Sequence, residues 1–204
     1  MNSISGRSGE TEKGRSGERS SHSPFLRFSL SPLHFLNGTK VILLGGFIAG
    51  TLDLTAAFLS AWLRTRTTPL QVSQFIASGA IGRAEAVAGG YKTALLGVAF
   101  HFLIATTAAA VFYLASRKLG FLIRWPIPMG LLYGVLVYLF MNFVVVPRSA
   151  IPPPRVAPTL SARAIQALII MFCVGLPIAL IVRWFSKHND ARLVLPDSIE
   201  ADPV

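Results

Sequence analysis

Apolar residues along this chain gather in four long blocks: Val41–Leu63, Ala94–Ala115, Ile127–Val146 and Ala164–Arg183. Blocks of about 20 apolar residues match the roughly 30 Å hydrocarbon core of a bilayer at 1.5 Å of helix rise per residue. Inside lipid every backbone N–H and C=O must pair within its own segment, so blocks of this length have to be helices. Interfacial residues bracket them: Trp62, Arg64 and Arg66 close the first, Arg124 and Trp125 precede the third, and Trp184 follows the fourth. The pattern predicts an all-α polytopic membrane protein whose four transmembrane helices occupy a domain over 37–186. Pro177 interrupts the fourth block and is expected to kink it.

The segments between and around the blocks read differently. Residues 1–36 are rich in Ser, Gly, Arg and Glu, with GRSGE at Gly6 and again at Gly14. They have little to bury and predict a disordered or interfacial tail, with Pro24–Phe35 lying on the membrane surface. Residues 187–204 predict a flexible C-terminal tail. Between the first two blocks, Thr68 before Pro69 reads as an N-cap with proline at the first helical position. Val72, Phe75, Ile76, Gly79 and Ala80 then recur on one face, with Gln71, Gln74 and Ser78 on the other. This predicts a short amphipathic helix over 69–83, at the membrane surface or dipping into the bundle. Arg83 and Glu85 read as a solvated loop, and Gly89-Gly90 as a hinge into the second span. Pro147, Pro152, Pro153, Pro154 and Pro158 predict an extended, stiff connector between the third and fourth spans.

Composition agrees with a membrane setting. Only 14% of residues are charged, against about 25% in soluble domains. The net charge of +10 lies in the tails and between the blocks, with no zinc-finger or RNA-binding signature, so nucleic acid is excluded as a partner. The larger share of Lys and Arg falls in the N-tail, the middle loop and the C-tail, which predicts that both termini face the cytoplasm. The single cysteine, Cys173, cannot form an intrachain disulfide and reads as a small buried hydrophobe.

Candidate chemistry starts at Asp53, a carboxylate in the middle of the first apolar block. Gly46, Gly50, Asp53, Ala57 and Ser60 share one helix face; Gly97, His101, Ala105 and Ala108 share another; Gly130, Gly134, Tyr138 and Asn142 share a third. Small residues let helices approach in lipid, so these faces are expected to meet other helices, with Gly46, Gly50, Gly97, Gly130 and Gly134 as packing positions. At 1.5 Å per residue, His101 falls about 10 Å below the outer surface, Asn142 somewhat nearer that surface and Asp53 near the midplane. Gln166 enters from the same end of the fourth span. The expectation is one polar cluster of Asp53, His101, Asn142 and Gln166, with Thr51, Thr55, Thr106 and Tyr138 as supporting neighbours.

Two readings of the cluster stand. An intramembrane ionisable residue marks a ligand or proton site by default. Alternatively the cluster fixes helix register, through hydrogen bonds of about 0.6–2 kcal/mol each in membranes. One His and one Asp fall short of the three or four ligands zinc takes, and His22, His34 and His188 lie in the tails. No GxSxG or HExxH occurs. The expectation is a non-enzymatic protein without a metal or cofactor. Its partners are the lipid bilayer and a second copy of the chain or a subunit of a larger membrane complex.

AGTLDLTAAF in the first block, ALLGVAFHFLIATTAAAVFYLASRKL around the second and GLLYGVLVYLFMNFVVVPRSA in the third resemble a family of uncharacterised bacterial four-helix inner-membrane proteins. The resemblance covers roughly residues 41 to 150. The layout is also loosely similar to YagU-type inner-membrane proteins, in which a His near the start of the second helix is followed by a Pro-ended third helix. The resemblance implies a bacterial inner membrane. It carries over no functional residue.

Overall fold

Four helices in the computed structural model are long and apolar enough to cross a membrane: Gly38–Thr65, Gly90–Lys118, Pro126–Arg148 and Leu160–His188. The structure describes residues 32–151 and 158–193; residues 1–31 of the tail expected over 1–36, most of the Pro-rich connector and the last residues lie outside that range. The elements are α1 (Pro32–Thr65), α2 (Pro69–Ile81), α3 (Arg83–Ala88), α4 (Gly90–Lys118), α5 (Phe121–Arg124), α6 (Pro126–Phe140), α7 (Val146–Arg148), α8 (Leu160–Ile170) and α9 (Leu176–Leu193). Two five-residue π-turns, Met141–Val145 and Met171–Gly175, join α6 to α7 and α8 to α9. Helix α1 thus begins inside the stretch read as a tail, and α9 runs on to Leu193 where a flexible tail was expected.

At most 33% of any of the four apolar windows is buried. Large side chains such as Phe47, Leu95, Leu103 and Phe143 stand more than half exposed. A soluble domain does not present such surface to water. The chain is an integral, multi-pass membrane protein, with lipid as the solvent of its outer faces.

Neighbouring spans run antiparallel. A Cβ placed on Gly38 would meet Tyr113, one on Gly46 would meet Thr106, and one on Gly50 would meet Phe102 and Ala105. That order fixes α1 against α4. Gly130 likewise lies against Gly175 and Ala179, and Gly134 against Ile170 and Met171, which fixes the third span against the fourth. All five packing glycines, Gly97 included, therefore meet neighbours within the same chain. The first, second and fourth spans share a core of Val41, Ala49, Phe112, Val174, Ile178 and Val182. The second and third spans are tied at Tyr133: its hydroxyl donates to the Ala108 carbonyl at 2.7 Å, and its ring meets Phe112 at 5.0 Å between centroids.

Each π-turn ends two residues before a proline: Val145 before Pro147 and Gly175 before Pro177. Proline lacks an N–H and its ring collides with the carbonyl four residues back. Widening the preceding turn by one residue relieves the collision: the N–H of Val146 reaches the Met141 carbonyl, and that of Leu176 reaches the Met171 carbonyl. The interruption expected at Pro177 takes this form. At Pro147, where the connector was expected to start, the third helix instead continues to Arg148.

Helix α2 starts as its sequence requires. Thr68 Oγ1 accepts from the Gln71 N–H, and the Thr68 N–H donates to Gln71 Oε1 at 2.9 Å, with Pro69 in the first turn. Gly82 at φ +82° ends it, and Gly90 at φ +57° turns α3 into α4. Arg83 and Glu85, read as a loop, stand exposed on the short α3. The orientation of α2 reverses what amphipathicity means in water. Its buried residues are Ser73, Gln74, Ala77 and Ser78, set against α4 at Gly97. The polar groups tolerate this because they are satisfied: Ser73 donates to the Pro69 carbonyl, Ser78 to Phe75, and Gln74 Nε2 to Gly90 at 3.1 Å. The apolar face of Val72, Phe75, Ile76, Gly79 and Ala80 turns toward the third span. There the Ala150 N–H donates to the Gly79 carbonyl at 2.9 Å.

Candidate functional site

Between the Tyr133–Ala108 tether and α2, the second and third spans leave a cavity of about 530 Å³. The first and fourth spans back it with Asp53, Ala57, Gln166 and Ile170. Helix α4 supplies Phe100, His101 and Ile104; the third span supplies Val137, Met141 and Asn142; the apolar face of α2 closes the remaining side. Asp53, His101, Asn142 and Gln166 thus come from four different spans and line one space.

The pairings inside that space are specific. His101 Nε2 lies 3.0 Å from the Gly50 carbonyl oxygen. A carbonyl only accepts, so this nitrogen carries a proton whatever the charge of the ring. Asp53 Oδ2 lies 3.9 Å from the same nitrogen. That is within reach of an ion pair with an imidazolium but too long for a hydrogen bond. Asp53 has no hydrogen bond among the described residues. Asn142 Nδ2 donates to the Tyr138 carbonyl of its own helix at 2.9 Å, which leaves Oδ1 free to accept. Gln166 is exposed, and its amide has no partner among the described residues. The Asp53 and His101 side chains retain 21% and 15% exposure, so both open onto the cavity.

The threonines named as supporting neighbours divide. Thr51 and Thr55 bend back to the carbonyls of Phe47 and Thr51 on their own helix and stand exposed away from the cluster. Hydroxyls in lipid-facing helices take this local partner because no water competes for it. Thr106 packs against Gly46. Tyr138 contributes only its carbonyl, which orients Asn142. The wall formed by α2 is the part of the site that sequence reasoning did not assign. Its signal, an apolar stripe from Val72 to Ala80, was legible, but not the surface it faces.

No family model, curated protein or solved structure matches the chain. Among the described residues no three His, Cys, Asp or Glu side chains come together as metal ligands would. A second groove of about 560 Å³ adjoins the cavity, sharing Asp53, Gln166 and Phe75 with it and reaching Arg64 and Thr65 at the end of α1. Asp53 therefore stands at the junction of two open spaces. A carboxylate at mid-span costs about 2.5–3.5 kcal/mol on insertion scales, and no hydrogen bond within the described chain offsets that.

Proposed function

We propose that this chain is a non-enzymatic protein of the bacterial inner membrane, with both termini in the cytoplasm. Its cavity binds a small ligand, a lipid head group or a proton at Asp53, His101, Asn142 and Gln166. One observation carries the reading: polar side chains from four spans converge on one cavity, and the carboxylate among them lacks a hydrogen-bond donor among the described residues. The family resemblance over residues 41 to 150 supports the bacterial inner membrane, and the distribution of Lys and Arg supports the orientation.

A second reading makes the chain a structural subunit of a larger membrane complex, with the cluster as helix-packing glue. The bond from His101 to the Gly50 carbonyl favours it, since it ties α4 to α1. It accounts for His101 but not for Asp53, whose carboxylate has no hydrogen bond among the described residues, nor for Asn142, whose amide bonds its own helix. A second copy of the chain would dock through faces other than the five glycines, because those are occupied within the chain.

Asp53→Asn separates the readings. Purified in lipid nanodiscs, the variant is expected to insert and unfold as the parent does while losing molecules that co-purify with the parent in native mass spectrometry. Lowered stability, partly restored by replacing His101 as well, would instead establish the glue reading.

A further inference from the structure

We infer that the cavity takes a monovalent organic cation, a protonated amine bearing apolar groups, whose ammonium donates to Asp53 and Asn142. This rests on the binding-site reading above and narrows it. The first argument is the balance of donors and acceptors. Both Asp53 oxygens are without hydrogen bonds among the described residues, and Asn142 Oδ1 is left free because its amide nitrogen is engaged on Tyr138. The His101 Nε2 proton is engaged on Gly50. The Gln166 amide offers a donor and an acceptor alike, so the two Asp53 oxygens tip the wall to a surplus of acceptors, which a ligand rich in N–H donors would satisfy.

Charge gives the second argument. Among the described residues, Asp53 and His101 are the only titratable side chains lining the cavity, and no Lys or Arg lines it. Arg64 lines the adjoining groove instead. One carboxylate matches one positive charge, whereas an anionic ligand would meet that carboxylate with no described Lys or Arg in the wall to offset it.

The rest of the wall decides between an organic and an inorganic ion. Hard metal cations take about six or more oxygen ligands, and among the described lining residues only Asp53, Asn142, Gln166 and Ser149 carry side-chain oxygens. Phe75, Ile76, Phe100, Ile104, Val137 and Ile170 make most of the remaining surface apolar. That surface suits alkyl or aryl substituents, and a volume of about 530 Å³ lies in the ordinary range for small-molecule sites. Leu103 and Ile104, on the rim, are 62% and 39% exposed, so an amphiphile reaches the cavity from the lipid side.

The test uses the full chain in phosphatidylcholine nanodiscs and three probes of equal chain length: hexylammonium, hexanol and hexanoate. Binding is read by equilibrium dialysis after subtraction of empty nanodiscs. Hexylammonium is expected to bind saturably, one molecule per chain, while the other two only partition. Asp53→Asn should weaken that binding about tenfold or more. Ala80→Trp, which fills the cavity from an exposed position on α2, should do the same and decides the matter if the Asp53 variant does not fold. Hexylammonium binding that neither variant weakens would overturn the inference. Saturable binding of hexanol or hexanoate that Ala80→Trp abolishes, without binding of hexylammonium, would overturn the cation class and leave the site standing. Saturable binding of none of the three, with Asp53→Asn unfolding earlier than the parent, would overturn both.

Discussion

Gly134→Ala and Gly45→Ala add the same methyl group to a transmembrane helix, yet their effects should have opposite sign. A Cβ on Gly134 would sit 2.5 Å from Met171 Cα and 3.0 Å from its nitrogen. Both are backbone atoms, and ordinary carbon contacts fall near 3.5–4.0 Å. The fourth span cannot rotate a side chain away and has to shift by about 1 Å. Overpacking of this kind costs about 1–3 kcal/mol, and a backbone obstacle puts it at the upper end. The gain in helix propensity returns up to about 1 kcal/mol, so the net loss should be about 2 kcal/mol, roughly thirtyfold in the folding equilibrium. On Gly45 the added Cβ would sit 3.5 Å from Ala109 Cβ, which is ordinary contact, so only the propensity gain remains. Unfolding of each variant by SDS titration in mixed micelles, followed by circular dichroism, measures both. A Gly134→Ala protein as stable as the parent, or a Gly45→Ala protein destabilised as much, would refute the helix contacts described.

Tyr133→Phe removes the donor to Ala108 while keeping the ring against Phe112; a loss of about 1 kcal/mol is expected in the same titration, and no loss would mean the tether does not hold the second and third spans. Thr68→Ala removes one half of the capping box, the Oγ1 that accepts the Gln71 N–H, and leaves the backbone donor to Gln71 Oε1 in place; amide exchange across Pro69–Ile81 should quicken by an amount equivalent to about 1 kcal/mol, with exchange in the four spans unchanged. Gly97→Val would drive a side chain into the backbone of Ser73 and Ala77; α2 should detach from α4, which distance measurements between spin labels on the two helices would register as a shift absent from Gly45→Ala.

Block length and 3–4 spacing carried much of this architecture. Faces drawn from Gly46-Gly50-Asp53, Gly97-His101 and Gly134-Asn142 turn inward in the structure, and the polar residue of each lines one cavity. Spacing gives a face but not an acceptor. It offered no sign that His101 would choose the Gly50 carbonyl over the Asp53 carboxylate, or that Thr51 and Thr55 would turn to their own backbone. Helix α2 was legible as a helix with two faces, yet its orientation was not. In water the apolar face would be the buried one, whereas here Ser73, Gln74 and Ser78 find partners and bury. Pro147 read as the start of a connector because proline usually stops a helix; a π-turn lets the third helix pass it.

That the Asp53 carboxylate is held for a ligand, and not bonded to His101, is tested most directly by a double-mutant cycle. Asp53→Asn and His101→Phe are combined, and unfolding is measured without added ligand at one fixed pH. The two groups stand close enough to couple, at 3.9 Å, but share no hydrogen bond, so the coupling should stay below about 0.5 kcal/mol, the lower limit for interacting neighbours. A coupling of about 1–2 kcal/mol or more would show the two side chains stabilising each other, and the binding role assigned to Asp53 would fall.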